Sequence, residues 1–336
     1  MKVKMILSIL LLSLTFSAGA QMFGDVNDDQ TVNVVDALLI AKYYVNVAVD
    51  VFNEDMADVN CSGNIDIVDG LLIARFYIKL INQFPCQGPT STPVSTPTPE
   101  ASPVFHVFLL LGQSNMAGFS KAQAADKVED PRIQVLGFEN CSATGRVTDQ
   151  WDIACPPLHE CWNGAVGIGD WFAKTLIQYV KQGDTIGLVP CAISGERIET
   201  FMKNGGSKYN WIIERARNAQ NKGGVIEGII FHQGESNSGD TSWPGKVATL
   251  IRDIKSDLGL GNIPFIAGEL LYSGSCAGHN TLINQLPNSI TNCSVVSANG
   301  LLVDPSDTQW RLHFGHDDTV EFGKRFAAKM KTALGW

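Results

Sequence analysis

A run rich in proline, threonine and serine limits how the whole chain can fold. Residues 85–103 read PCQGPTSTPVSTPTPEASP. A segment of this composition has too few apolar side chains to form a packed core, and its prolines favour an extended, semi-rigid spacer. We therefore predict two separate units, one at residues 21–84 and one at residues 104–336.

The first twenty residues predict a signal peptide. A basic start (MKVK) precedes an apolar stretch at 5–16 and a small-residue end, Ala18-Gly19-Ala20, which is the order of a secretory signal cleaved before Gln21. That stretch is too short for an ordinary membrane span. A net charge of -9 without a long basic run argues against nucleic acid as a partner. We expect a secreted, extracellular protein that binds neither membrane nor nucleic acid.

Eight cysteines in an exported chain favour disulfide bonds over structural zinc. The nearest candidate pairs are Cys155 with Cys161 and Cys276 with Cys293. The sequence leaves the pairing open, including whether Cys61 is a plain surface thiol.

The first unit contains two segments that repeat at a spacing of 33 residues, since they begin at positions 25 and 58. Each has oxygen-bearing side chains at positions 1, 3, 5 and 12 of a twelve-residue loop, and position 7 can lend its carbonyl. Such an oxygen-rich set suits a hard cation such as Ca²⁺. The predicted ligands are Asp25, Asn27, Asp29, Thr31 and Asp36 in the first loop and Asp58, Asn60, Ser62, Asn64 and Asp69 in the second.

An apolar helix is predicted after each loop, and this duplicated loop-plus-helix unit resembles the type I dockerin over residues 22–83. In the first loop, Gln30 stands where the family usually has glycine. In the second loop, Ser62 replaces a carboxylate, so we expect the second site to bind Ca²⁺ more weakly. The resemblance implies a small all-α calcium-binding module, a cohesin of a scaffoldin as partner, and a place in the extracellular cellulosome. The implied cohesin contacts are Val34, Val35, Lys42, Ile67, Val68 and Arg75. The alternative is an acidic helical hairpin with chance aspartate spacing.

Strand-like and helical segments alternate in the second unit. Strands are predicted at 104–111, 185–189, 225–231, 264–271 and 293–297, and helices at 167–180, 207–221, 243–258 and 320–334. This order predicts an α/β fold with a mostly parallel sheet and helices on both faces. Functional loops are then expected at the carboxyl ends of the strands.

Ser114 directly follows the first predicted strand, in the segment GQSNMAG at 112–118. Taken alone, such a serine is usually part of a turn. A nucleophilic role needs a base and an oxyanion hole. His313 is the most natural base, with His316 as the neighbouring alternative, and the backbone N–H groups of Ser114 and Gly195 with the side-chain amide of Gln233 supply three donors.

Four segments, at 112–118, 189–195, 232–237 and 313–314, are together similar to the blocks of the SGNH-hydrolase superfamily. Within it they most resemble the acetylxylan esterases of carbohydrate esterase family six and the related sialate O-acetylesterase-like proteins. The resemblance implies a flavodoxin-like three-layer α/β/α sandwich, Ser114 as nucleophile, His313 as base, and Ser114, Gly195 and Gln233 as oxyanion donors. It implies no cofactor for catalysis, so that Ca²⁺ is structural and confined to the dockerin.

The chain departs from this family where an aspartate usually stands three residues before the histidine, because Trp310 occupies that position. Glu235 is the preferred substitute as the acid that orients His313. Asp307, Asp304 and a dyad without an acid remain alternatives, and a dyad is tolerable because losing the acid does not abolish catalysis.

These features predict a serine esterase that removes O-acetyl groups from xylan. A sialate or general sugar O-acetylesterase is the alternative, and a non-catalytic carbohydrate-binding module is a further one. Sugar stacking is conceivable for several tryptophans, although core or helix packing is the commoner role of such residues: Trp151, Trp162, Trp211 and Trp243.

Overall fold

The computed structural model of the protein describes residues 22–85, 102–161 and 165–336. The predicted signal peptide and most of the predicted spacer lie outside these residues. By its internal contacts the chain divides into two compact units after Glu100. None of the described helices has the length and apolar character needed to cross a bilayer.

The N-terminal unit contains two equivalent helices, α1 (Val34–Tyr44) and α2 (Ile67–Tyr77), with a short 3₁₀ turn at Glu54–Met56 between them. Each helix begins with a capping box. The side chains of Asn33 and Asp66 accept the N–H groups two residues further on, while those of Asp36 and Asp69 accept the N–H of the cap residue. Buried apolar side chains of the two helices and of the segments around them form one small core: Val26, Ile40, Ala57, Val59, Ile73 and Phe84.

The second unit is built on a seven-stranded sheet with the order β4-β3-β6-β1-β7-β8-β9. Its pairs are parallel except for the edge pair β3 and β4. The strands are β1 (Phe105–Gly112), β3 (Ile133–Leu136), β4 (Trp151–Ile153), β6 (Thr185–Pro190), β7 (Gly224–His232), β8 (Phe265–Gly268) and β9 (Cys293–Val296), and a separate antiparallel pair is formed by β2 (Ser120–Lys121) and β5 (Ala165–Val166).

Helices cover both faces of this sheet, as the alternating pattern predicted. Along β1, Val107, Leu109 and Leu111 enter one core, whereas Phe108 and Leu110 enter the core on the opposite face, because successive side chains of a strand alternate between faces. The helices are α3 (Ser114–Ala117), α4 (Ile168–Leu176), α5 (Tyr209–Asn221), α6 (Trp243–Leu258), α7 (Asn280–Ile283) and α8 (His316–Leu334). Residues of α5 and α6 belong to the first core and residues of α4 and α8 to the second.

The cysteine pairing differs from the nearest-neighbour expectation. Cys141 is bonded to Cys161, and Cys155, Cys276 and Cys293 are free thiols. Cys61 is also disulfide-bonded and is therefore not a plain surface thiol. Short sequence separation was a poor guide because the fold, rather than proximity along the chain, sets which Cα atoms come within bridging distance.

Candidate active site

The turn after β1 brings Ser114 to the carboxyl edge of the sheet. Gly112 has φ +146°, and a Cβ on it would lie 2.1 Å from the carbonyl oxygen of His232 on β7, so only glycine fits this close approach. The N–H of Gln113 donates to that same oxygen at 3.0 Å. Ser114 follows as the first residue of the short α3.

Ser114, His313 and Asp307 form a continuous hydrogen-bonded chain. Nε2 of His313 lies 3.0 Å from Oγ of Ser114, and Nδ1 lies 2.8 Å from Oδ2 of Asp307. All three side chains are buried. The structure thus brings together the predicted nucleophile and base, which are 199 positions apart in sequence.

The loop before His313 wraps around the Asp307 carboxylate. Oδ2 accepts the N–H groups of Leu312 at 2.8 Å and His313 at 3.0 Å, and Oδ1 accepts the N–H of Trp310 at 3.1 Å. Burial raises the pKa of this carboxyl, but the backbone N–H groups and the imidazole outweigh burial and lower the pKa to about 2. An ionised Asp307 requires the proton of a neutral His313 to sit on Nδ1, which leaves the lone pair of Nε2 facing the serine hydroxyl.

Glu235, the preferred orienting acid, does not contact the imidazole, and this prediction is corrected by the geometry. Its Oε1 accepts a hydrogen bond from Nδ2 of Asn115 at 2.8 Å, and its Oε2 is buried without a partner. Nδ1 of His232 lies 3.7 Å from Oε1, but burial lowers the pKa of His232 and favours its neutral form.

Asn115 links Glu235 to the segment that carries His313. Its Nδ2 also donates to the carbonyl of Leu312 at 3.0 Å, and its Oδ1 accepts the N–H of Phe314 at 3.2 Å. One side chain therefore fixes the backbone on both sides of His313. Glu235 contributes to the site by holding Asn115, one step removed from the imidazole.

The other two candidates near His313 have separate roles. Asp304 accepts hydrogen bonds from Oγ of Ser120 at 3.0 Å and from Ser306. His316 lies between Asp126 and Asp317, each 2.8 Å from one ring nitrogen. Neither side chain is bonded to Ser114 or to the imidazole of His313.

Two of the three predicted oxyanion donors are available. Among the residues that the structure describes, the N–H groups of Ser114 and Gly195 donate to no protein acceptor. Gly195 adopts φ +75° in the loop after β6, the strand next to β1. Ser236 ties that loop to the site, because its hydroxyl donates to the carbonyl of Gly195 at 2.9 Å and its N–H to Oε1 of Gln113 at 3.2 Å.

Gln233, the third predicted donor, is already bonded within the protein. Its Nε2 donates to Oδ1 of Asn237 at 2.8 Å and to Oε1 of Gln113 at 3.2 Å, and its Oε1 accepts the indole N–H of Trp243 at 2.6 Å. Gln233 as placed supports Gln113 beside the serine instead of offering a free amide. Sequence alone does not reveal this, because whether the amide of Gln233 is bonded within the protein or free to bind a ligand depends on the folded arrangement of its neighbours.

Aromatic side chains surround the imidazole. Phe119 stacks on His313 with ring centroids 3.8 Å apart and planes 6° apart, while the indole of Trp310 lies 6.4 Å away at 81°. The tryptophans considered for stacking are placed elsewhere: Trp243 is fully buried, Trp151 and Trp211 pack partly buried against the core, and Trp162 lies outside the described residues.

The two oxygen-rich loops of the N-terminal unit fold alike. The carboxylate at position 1, Asp25 or Asp58, accepts the N–H groups of positions 5 and 6. The amide oxygen at position 3, Asn27 or Asn60, accepts the same N–H of position 5. The oxygens of positions 1 and 3 therefore converge in both copies.

The carboxylates at position 12 also fit a cation. Asp36 and Asp69 are fully buried, and burial, followed by a smaller effect of neighbouring carboxylates, raises their pKa. A hard divalent cation would offset that cost. No group of three or more His, Cys, Asp or Glu side chains in the described residues is arranged as a metal site, and the predicted ligand sets accordingly depend on amide, hydroxyl and carbonyl oxygens as well.

The predicted cohesin contacts lie on the surface. Val34, Val35, Ile67 and Val68 are about half exposed at the start of the two helices, and Lys42 and Arg75 are exposed in the last turns. Val34 and Ile67 share one shallow apolar depression with Leu38 and Leu71. We call the four residues Val34, Val35, Ile67 and Val68 the docking patch.

A hydroxyl, an imidazole and a carboxylate in series at the carboxyl edge of a parallel sheet define the class of serine hydrolases. The sequence model of the carbohydrate esterases described as sialic acid-specific acetylesterases matches residues 104–332, and the chain belongs to this family. The model of the type I dockerin domain matches residues 23–76. The chain is thus a carbohydrate esterase that carries a dockerin.

Individual proteins agree with this family. A probable carbohydrate esterase of Arabidopsis thaliana is 28% identical over 245 residues, which cover 67% of this chain and 90% of that protein. A crystal structure of an Arabidopsis thaliana protein shares 25% identity and a TM-score of 0.58, over 69% of this chain and 99% of that one.

Two more distant structures share the fold. NanS has 17% identity and a TM-score of 0.57 over 70% of this chain and 99% of that one. A carbohydrate acetylesterase from Xanthomonas citri has 21% identity and a TM-score of 0.52, over 68% of this chain and 56% of that one.

Proposed function

We propose that this protein is a secreted, cellulosomal serine esterase that removes O-acetyl groups from xylan through an acetyl-enzyme intermediate. The observation that carries the proposal is the hydrogen-bonded series from Ser114 Oγ through both ring nitrogens of His313 to Asp307 Oδ2, with distances of 3.0 and 2.8 Å. The dockerin supports a polysaccharide substrate, because a scaffold-bound enzyme works next to others acting on the same fibre.

In the first half-reaction, Nε2 of His313 takes the hydroxyl proton of Ser114 while Oγ attacks the acetyl carbonyl carbon. The resulting oxyanion accepts hydrogen bonds from the free N–H groups of Ser114 and Gly195. Asp307 stabilises the imidazolium by Coulomb attraction without taking its proton. When the tetrahedral intermediate collapses, the C–O bond to the sugar breaks and His313 gives the proton to the departing sugar oxygen, which leaves as a hydroxyl group.

In the second half-reaction, water replaces the sugar. His313 removes a proton from the water, the hydroxide attacks the acetyl carbonyl, and collapse releases acetate while the proton returns to Oγ of Ser114. Because the pKa of Asp307 is about 2, the carboxylate stays ionised between neutral pH and about pH 4. A loss of activity in that range would therefore not come from Asp307.

The dockerin half of the proposal concerns attachment. The ligand sets of both loops would hold Ca²⁺ and thereby fix the starts of α1 and α2, which present the docking patch to a cohesin. Lys42 and Arg75 add positive charge in the last turn of each helix. No calcium is required for ester hydrolysis in this scheme.

The test is acetate release from acetylated xylan by the wild type and by Ser114→Ala. We expect at least a 10³-fold lower kcat for the variant, with Ser256→Ala, an exposed serine of α6, as the matched control that keeps full activity. Equal activity of Ser114→Ala and wild type would refute the mechanism. Faster hydrolysis of O-acetyl sialic acid than of acetylxylan would keep the mechanism and refute the substrate.

A further inference from the structure

Trp310 is an unusual residue for its position beside the base. It is a large aromatic residue with 54% of its surface exposed, although its ring centroid lies 6.4 Å from that of the buried His313. An indole that served only packing would be expected to be buried. Exposure next to the reacting groups instead suits contact with a ligand.

The backbone of Trp310 is held in place while its side chain is exposed. Its N–H donates to Oδ1 of Asp307 at 3.1 Å, and its carbonyl accepts the hydroxyl of Ser275 at 2.7 Å. The N–H of Ser275 donates in turn to the carbonyl of Arg311 at 3.0 Å, and the guanidinium of Arg311 donates to the carbonyl of Ser273 at 3.0 Å. A preorganised backbone reduces the conformational entropy that is lost when a ligand binds to the side chain it carries.

The chemistry of the substrate brings a sugar ring to this neighbourhood. Only two covalent bonds separate the carbonyl carbon attacked by Ser114 from the ring carbon that bears the acetyl group. Phe119 already covers one face of the imidazole. The other tryptophans that the structure describes are engaged: Trp243 is buried, Trp151 and Trp211 pack against the core, Trp171 donates to Asp126, and Trp336 packs on His106.

We propose that the indole of Trp310 is the stacking platform for the pyranose ring that carries the scissile acetyl group. This inference rests on the proposed esterase function and adds to it a residue that determines specificity. The C–H groups on one face of a neutral pyranose form an apolar surface that packs on an aromatic face. Trp310 would thus select acetyl esters of sugars over acetyl esters of small aliphatic alcohols.

The experiment compares two substrates that share the same acetyl chemistry. An O-acetylated methyl xyloside supplies a pyranose ring, and triacetin supplies an acetyl ester without any ring. The quantity of interest is the ratio of the two kcat/KM values in the wild type, Trp310→Ala and Trp310→Phe. Tyr179→Ala is the matched control, because Tyr179 is a half-exposed aromatic residue that contacts Lys331 near the end of α8.

We expect Trp310→Ala to lower the ratio about tenfold, mainly through a higher KM for the sugar ester, which corresponds to about 1.4 kcal/mol of lost binding. Trp310→Phe should recover most of the ratio, and Tyr179→Ala should leave it unchanged. An unchanged ratio in Trp310→Ala overturns the proposal. If both activities are retained, Trp310 has no role in selecting the substrate, and if both fall together, its role is to support His313.

A binding measurement separates this inference from the esterase proposal. Ser114→Ala is titrated with the same acetylated methyl xyloside by isothermal titration calorimetry, with and without Trp310→Ala. A lower affinity in the double variant supports the platform. If the wild type cleaves neither ester, the esterase proposal fails. If Trp310→Ala leaves the affinity unchanged, the platform proposal fails, whatever the result for ester hydrolysis.

Discussion

The two units of the chain place their functional residues in opposite ways. In the N-terminal unit each predicted ligand set lies within twelve consecutive residues, and the set is repeated 33 residues later. In the esterase unit, Ser114, Gly195 and His313 come from three distant segments that meet only at the carboxyl edge of the sheet. A local function can be recognised from spacing, whereas an assembled function depends on strand order and loop shape.

This difference implies that the two functions respond to different perturbations. Among its described residues, 22–85, the N-terminal unit has a small core of six fully buried apolar residues, so its order should depend on its ions. The esterase unit has two extensive cores and needs no ion in the proposed mechanism. A change confined to one unit should therefore leave the function of the other unit intact.

The largest effect is expected from Asp307→Asn. The amide keeps the shape of the carboxylate but removes the charge that stabilises the imidazolium and selects the Nδ1 proton, so kcat for acetate release should fall about 10³- to 10⁴-fold. Glu235→Gln, which keeps an acceptor for Asn115, should lower kcat only about tenfold. Cohesin binding should be unchanged in both variants. A larger loss with Glu235→Gln than with Asp307→Asn would restore Glu235 as the orienting acid.

Removal of calcium should produce the second largest effect, in the other unit. With EDTA in excess, the affinity for a cohesin is expected to fall more than about 100-fold, because metal binding and folding of the loops are coupled. The kcat/KM for triacetin should stay within about twofold of its value with Ca²⁺. Calorimetry measures the cohesin affinity, and an ester assay on the same sample measures kcat/KM. An equal loss of cohesin affinity and of ester hydrolysis would contradict the independence of the two units.

A smaller effect is expected from single changes in the docking patch. Val35→Asp or Val68→Asp places a charge on an apolar contact surface and should weaken cohesin binding about tenfold, and the double variant should weaken it further. Val128→Asp is the matched control, since Val128 is an exposed valine of the esterase unit. Affinity of the double variant equal to that of the wild type would refute the assignment of this patch.

The smallest predicted effect concerns stability. Burial lowers the pKa of His106, but hydrogen bonds to Glu227 and Asp184, at 2.8 and 3.0 Å, outweigh it and raise the pKa above 6.5. A raised folded-state pKa adds stability that is complete below pH 6.5 and is lost as pH rises through the folded value.

His106→Gln should therefore destabilise the esterase unit more at pH 6 than at pH 9. Urea unfolding at the two pH values, followed by the ester assay, measures this difference. The same cost at both pH values would show that His106 contributes only packing. Cohesin affinity should not change at either pH.

Much of this architecture could be predicted from the sequence. The alternating pattern located α6 at its observed bounds and placed β1, β6 and β7 to within one residue at each end. The helices after both oxygen-rich loops were also predicted, because apolar spacing acts locally. These features depend on neighbours in sequence, which a single chain displays.

Strands β3 and β4 were missed for a physical reason. They are only four and three residues long. The end of β3 is also held by a distant side chain, because the guanidinium of Arg215 on α5 donates to the carbonyls of Leu136 and Gly137. Strands this short, held by pairing and by tertiary bonds, carry too weak a periodic signal to be recognised.

The identity of the acid depended on loop shape in the same way. Asp307 reaches His313 across six positions because three backbone N–H groups draw its carboxylate into the turn. The family resemblance pointed instead to position 310, where Trp310 stands. The sequence signal that could have favoured Asp307 over Glu235 is an aspartate in the loop directly before His313, a few positions from the expected one.

The bonds of Asn115 have a consequence for recombining such enzymes. Asn115 follows Ser114 directly, and its side chain is hydrogen-bonded to the backbone of Leu312 and Phe314, on either side of His313. The relative position of Ser114 and His313 is therefore fixed through these neighbouring residues. A transplanted 304–315 loop would keep its register against the serine only in a recipient with an amide at this place.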